Sequence, residues 1–107
     1  MAYINHVFIS GNVGKVESGM TQSTGVKAAS FLLAVDSGGA SGANTLWIRV
    51  NVYGKIAELV MQHLAKGDYV VVAGKLMQRR TAKGDVVTEV KGYRVDIIKK
   101  ESRVIPK

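Results

Sequence analysis

Cysteine is absent from this 107-residue chain. That excludes disulfides, thiol nucleophiles and cysteine-ligated metal sites, and is compatible with a reducing cytosol. Long apolar runs are missing too: no stretch approaches the ~20 residues of a membrane-spanning helix. The opening segment, Met1 to Ser10, lacks a basic leader, and its apolar run is broken by Asn5 and His6, so no secretory signal and no membrane association are expected. Histidine is scarce. His6 and His63 fall on different expected elements with no carboxylate cluster at metal-ligand spacing, and both read as ordinary surface or interface residues. The pairs Gly14-Lys15, Gly54-Lys55 and Gly74-Lys75 resemble the end of a phosphate loop, but none is followed by Ser or Thr. The serines sit in loops without a positioned base, so no catalytic site and no cofactor are expected.

Acidic side chains are outnumbered, eight against fifteen Lys and Arg, for a net charge of +7. A polyanionic partner, nucleic acid or an acidic membrane, would account for the excess, although a basic protein can be merely soluble. The charge is uneven: residues 1–54 carry three basic and two acidic groups (+1), residues 55–107 twelve and six (+6). The densest basic group is Lys75, Arg79, Arg80 and Lys83, followed by Lys91, Arg94, Lys99 and Lys100.

The most informative stretch is Thr45 to Tyr53. Side chains alternate across a strand, so Leu46, Ile48, Val50 and Val52 form a dry face and Trp47, Arg49, Asn51 and Tyr53 point the other way. An aromatic, guanidinium, amide and aromatic in line suit a flat π-bearing ligand with a negative backbone: bases stack on Trp47 and Tyr53 while Arg49 meets phosphate. Lys75, Arg79, Arg80 and Lys83 are the candidate phosphate contacts beside them. The alternative is that Trp47 and Tyr53 pack under a loop or against another subunit.

The length suits one small domain. Tyr3 to Ser10 reads as a strand ended by a turn at Gly11 to Gly14, and Val26 to Asp36, with Phe31, Leu32, Leu33 and Val35, as a second strand buried in its middle. Ser18 to Gly25 and the glycine-rich Ser37 to Asn44 are loops. After Gly54 the period changes: Ile56, Leu59, Val60 and Leu64 predict a helix over Lys55 to Ala65, with Gly67 placed to end it. Tyr69 to Arg80 is a long strand, Lys83 to Asp85 a turn, and Val86 to Ile98 the return strand with a bulge at Gly92. Three strands, a helix and a two-strand hairpin form an all-β chain with one short helix, the element order of a five-stranded Greek-key barrel, the OB fold. The barrel is expected over residues 1–100, with a short basic tail over 101–107.

From Asn5 to Ile98 the chain resembles the bacterial and phage single-stranded DNA-binding proteins, without the family's usual tail. The matching pieces are Val7-Phe8-Ile9-Ser10-Gly11-Asn12-Val13-Gly14, Phe31-Leu32-Leu33-Ala34-Val35, Trp47-Ile48-Arg49-Val50, Tyr53-Gly54-Lys55-Ile56-Ala57-Glu58, Leu64-Ala65-Lys66-Gly67-Asp68, Gly74-Lys75-Leu76 and Thr88-Glu89-Val90. Their order and spacing carry the resemblance. It implies base stacking at Trp47 and Tyr53 and a DNA contact at Arg49, in agreement with the face reading.

Two departures matter. Family members often carry a tryptophan after the second strand and another in the last hairpin, where this chain has Gly38 or Gly39 and Thr81. The missing platforms, each worth about 1–3 kcal/mol per stacked base, predict weaker or more salt-dependent binding. Cellular members also continue to an acidic tip ending in Pro-Phe that recruits replication proteins, whereas the sequence ends at Pro106-Lys107. A phage, plasmid or accessory form without recruitment, or a tail outside the sequence, would explain this.

The expected function is binding of single-stranded DNA with little sequence preference during replication, recombination or repair, in a bacterial cytoplasm at the nucleoid or in a phage- or plasmid-encoded form. The resemblance implies a homotetramer, and the first strand agrees: Ile4 and Phe8 oppose Val7 and Ile9, more apolar surface than one barrel interior needs. The alternative is that the helix covers one of those faces. A primosome-type adaptor in replication restart and an RNA-binding OB module are the rival readings.

Overall fold

Six elements follow the turn signals: β1 (Val7–Met20), β2 (Lys27–Asp36), β3 (Thr45–Tyr53), α1 (Gly54–His63), β4 (Tyr69–Arg80) and β5 (Val86–Ile98). The computed structural model describes residues 2–20, 25–36, 38 and 44–98. The strands close into a barrel in the order β1-β2-β3-β5-β4. All neighbours are antiparallel except β3 and β5, which run parallel through Val50↔Val90 and Asn51↔Lys91. One set of alternate residues fills the interior: Val13, Phe31, Leu33, Val50, Val52, Val70, Val72 and Val90 are all buried. This is the five-stranded OB barrel with one short helix.

The turn expected at Gly11 to Gly14 does not occur. β1 runs through it, pairing first with β4, from Val7↔Gly74 to Asn12↔Tyr69, and then with β2, from Asn12↔Ala34 to Met20↔Lys27, with a bulge between Val13 and Lys15. Bulges bend and twist a strand, and that bend lets one strand close the barrel on both sides. Gly11 permits the close approach: a Cβ there would lie 2.2 Å from the Ala34 carbonyl oxygen. The ladder also starts later than Tyr3, but the Asn5 side chain adds one rung, its amide donating to the Leu76 carbonyl and accepting from the Leu76 N–H, both at 2.9 Å.

The expected loop Ser18 to Gly25 begins later, because β1 extends to Met20; residues 21–24 lie outside the described residues, as do 37 and 39–43 of the expected loop Ser37 to Asn44, and the tail 101–107. On β3 the dry face is shorter than expected. Val50 and Val52 are fully buried and Ile48 packs against them, but Leu46 is exposed, since its pairing with Val35 falls near the end of the β2–β3 ladder.

α1 starts and ends slightly earlier than Lys55 to Ala65. Gly54, with φ +66°, turns the chain from β3 into the helix. Ala57, Val60 and Leu64 are buried, whereas Leu59 is exposed, a correction to the expected stripe. At 3.6 residues per turn Leu59 stands roughly 200° around from Ala57, on the solvent side. After α1 the chain is stitched to β1: the Gly67 N–H donates to the Val13 carbonyl at 2.8 Å, and the Val13 N–H to the Asp68 carbonyl at 2.9 Å.

The β4–β5 hairpin falls where expected. At its tip the Thr81 N–H donates to the Asp85 carbonyl at 2.8 Å. The bulge lies at Gly92: Gly74 pairs with Gly92 but Ala73 with Arg94, leaving Tyr93 unopposed.

Candidate nucleic-acid interface

The pleat of β3 sends Val50 and Val52 inward and Trp47, Arg49, Asn51 and Tyr53 outward. Trp47 is 58% exposed. It pairs with Ala34 on β2, a side chain small enough for the indole to reach across to β1, where its edge rests on Gly14. A Cβ at Gly14 would lie 2.8 Å from Trp47 Cζ3. The backbone of Gly14 therefore sets the pose of the ring. Tyr53 and Asn51 are half-buried, and a depression of about 200 Å³ lies between Tyr53, Asn51, Arg49 and Glu17, floored by Ala28 and Ser30.

Arg49 is already engaged. Its Nη2 donates to Glu17 Oε1 at 2.9 Å and its Nε lies 3.9 Å from Glu89 Oε2. Lys15 Nζ is 3.2 Å from the other Glu17 oxygen. Lys15 and Arg49, in that order, hold the Glu17 carboxyl below its ordinary 4.5.

Glu89 is the deepest charged group of this face, 1% exposed. Asn51 Nδ2 donates to its Oε1 at 2.8 Å, and Arg79 Nε to its Oε2 at 3.0 Å, with Arg79 Nη2 also at 3.0 Å. Burial, the largest single influence, pushes this carboxyl up; the hydrogen bonds from Arg79 and Asn51 with the charges of Arg79 and Arg49 outweigh it and leave the group below 4.5. The bond to Glu89 raises Arg79 in turn.

The barrel closure assembles this network. Parallel pairing of β5 beside β3 sets Lys91 next to Asn51, and the β4–β5 register sets Lys75 directly opposite Lys91. Lys91 Nζ sits 5.4 Å from the centroid of the Tyr53 ring, within cation–π range. Of the residues singled out in the sequence, Trp47, Arg49, Tyr53, Lys75 and Arg79 share one outward surface. Arg80 and Lys83 belong to the hairpin tip, where Arg80 Nη1 donates to the Gly84 carbonyl at 3.0 Å.

Sequence reasoning missed Glu17, Glu89, Lys91 and Gly14 as parts of this face. The parity of Glu89 and Lys91 around the inward Val90 was a usable signal. What it could not supply was the neighbour of β5.

A closed Greek-key barrel with a helix between its third and fourth strands, and aromatic and cationic side chains on one outer face, defines an OB-fold protein of the kind that commonly binds oligonucleotides. Residues 4–104 match the Single-strand binding protein family, and the chain belongs to that family. It is 30% identical over 100 residues to Single-stranded DNA-binding protein 1 of Chlorobaculum tepidum, covering 89% of this chain and 60% of that protein. It is 31% identical over 108 residues to the Single-stranded DNA-binding protein of Xanthomonas axonopodis pv. citri, covering 95% and 58%. The chain thus spans about three fifths of the length of these relatives. Among solved structures, an SSB of Plasmodium falciparum in complex with ssDNA superposes with a TM-score of 0.73 at 27% identity, over 92% of this chain and 96% of that one. The SSB domain of a Synechococcus protein shares the fold, with a TM-score of 0.70 at 17% identity over 89% and 97%.

Proposed function

We propose that this protein coats single-stranded DNA with little sequence preference, protecting it during replication, recombination or repair, and that it acts by binding alone, without catalysis or cofactor. The observation that carries this reading is the outward row on β3, Trp47, Arg49, Asn51 and Tyr53, on an OB barrel of the Single-strand binding protein family. Trp47 and Tyr53 offer π-faces to bases. Lys75, Arg80 and Lys83, with Arg49 in the row itself, make the surroundings electropositive, so affinity falls with salt, while Arg79 is held by Glu89.

The protein works as a homo-oligomer, a tetramer by family resemblance, in the cytoplasm. Phe8 is 73% and Ile4 95% exposed, so α1 does not cover them, and apolar groups of this size beside a strand suit a subunit contact. No helix among the described residues is long and apolar enough to cross a membrane.

Titration of the purified protein with oligo-dT of increasing length, followed by Trp47 emission, tests the reading: quenching that saturates at a fixed length supports it, and unchanged emission with no retained oligonucleotide refutes it. Equal or tighter binding of oligo-U would favour an RNA module instead. Light scattering at micromolar concentration should give a tetramer or at least a dimer; a strict monomer would refute the assembly.

A further inference from the structure

Not every positive charge on the β3–β5–β4 surface is available to a ligand. Arg79 faces Glu89 at 3.0 Å, whereas the Glu17 that Arg49 meets at 2.9 Å is half-exposed and shared with Lys15. Glu89 is buried, so Arg79 cannot turn to a phosphate without leaving a carboxylate that burial already disfavours. Arg79 is therefore tied to the fold.

Lys75 and Lys91 differ. They stand directly opposite each other on β4 and β5, both exposed, with no carboxylate partner among the described residues. Like charges in that register destabilise a sheet, and a polyanion lying across them converts the repulsion into attraction. Lys91 also borders Asn51 on β3 and holds its ammonium 5.4 Å from the Tyr53 ring, so it adjoins a stacking surface.

We propose that Lys91 and Lys75 form a phosphate-binding subsite beside Tyr53, crossed by the nucleic-acid backbone, and that Arg79 positions the face through Glu89 rather than carrying a salt-dependent contact. This rests on the single-stranded DNA reading. It goes beyond it by dividing the basic residues into two groups with opposite expected behaviour.

The test is the salt dependence of oligo-dT binding by the full chain, from about 0.05 to about 1 M salt, read from Trp47 emission, with circular dichroism to confirm folding. Lys91→Gln and Lys75→Gln should each reduce the log–log slope by about 0.7, equivalent to an approximately fivefold loss of affinity at ~0.1 M relative to ~1 M salt; the double variant should lose about 1.4. Arg79→Gln should leave the slope unchanged and lower the melting temperature. Lys66→Gln, on the loop after α1, is the control and should behave as wild type. Wild-type slopes in both lysine variants, with oligo-dT still quenching Trp47, would overturn the subsite and leave the DNA reading standing. A slope reduced by Arg79→Gln as much as by Lys91→Gln would overturn the division of roles. Failure of the wild-type protein to bind oligo-dT at low salt would remove the DNA reading itself, and the subsite with it.

Discussion

Replacing Trp47 by alanine separates a binding aromatic from a packing one. With 58% of the residue exposed, one ring surface is available to one base, and a stacked base contributes about 1–3 kcal/mol. At about 1.4 kcal/mol per tenfold, affinity for oligo-dT should fall roughly 5- to 150-fold. The covered remainder, on the order of 100 Å² at about 25 cal/mol per Å², caps the stability loss near 2.5 kcal/mol. Part of that cover is strand backbone, which alanine keeps, so about 1 kcal/mol is the working expectation, a fall of roughly 4–8 °C in melting temperature. Because the substitution removes the only tryptophan, binding is read by anisotropy of a labelled oligo-dT, with melting by circular dichroism and mass by light scattering. Trp47→Phe, which keeps an aromatic face, should recover most of the affinity. If Trp47→Ala dissociates or unfolds the protein while affinity per folded subunit survives, Trp47 is a packing residue and the β3 row is not the binding face.

Gly11→Ala should destabilise the barrel by about 1–3 kcal/mol, because the new Cβ meets a backbone oxygen that cannot move independently; a wild-type urea midpoint would show that β1 and β2 separate easily at Ala34. Gly14→Ala should instead shift the Trp47 ring and alter its emission with little change in melting temperature, since the atom in the way, Cζ3, is the far end of a side chain; unaltered emission would mean that Gly14 does not set the ring pose. Folded-state depression of Glu17 and Glu89 below 4.5 gives stability that is full above the ordinary carboxylate range and is lost as pH falls through the folded values, because the unfolded chain takes up protons first. Melts from about pH 7 to about pH 3 should show that decline, and Glu89→Gln should reduce it; an identical acid limb in wild type and variant would remove Glu89 as a cause.

The alternation of Thr45 to Tyr53 was enough to separate an outward Trp47, Arg49, Asn51 and Tyr53 from an inward Val50 and Val52, because the two-residue period is a property of the strand itself. The bounds of β3, β4 and β5 were likewise legible, since glycine and the change to helical spacing punctuate the chain locally. Tertiary structure decided what no local pattern encodes. Gly11 and Gly14 look like turn residues in sequence, yet β1 continues through them, because the barrel needs one strand to bend and pair on both sides and only hydrogen fits against Ala34. Leu59 has helical spacing but faces solvent, because the barrel end meets α1 along Ala57, Val60 and Leu64. The electrostatics of the face depended on a pairing between strands far apart in sequence: β5 lies parallel to β3, which buries Glu89 under Arg79 and Asn51 and brings Lys91 to Tyr53. Composition counted the charges, while closure of the barrel decided which of them are paired.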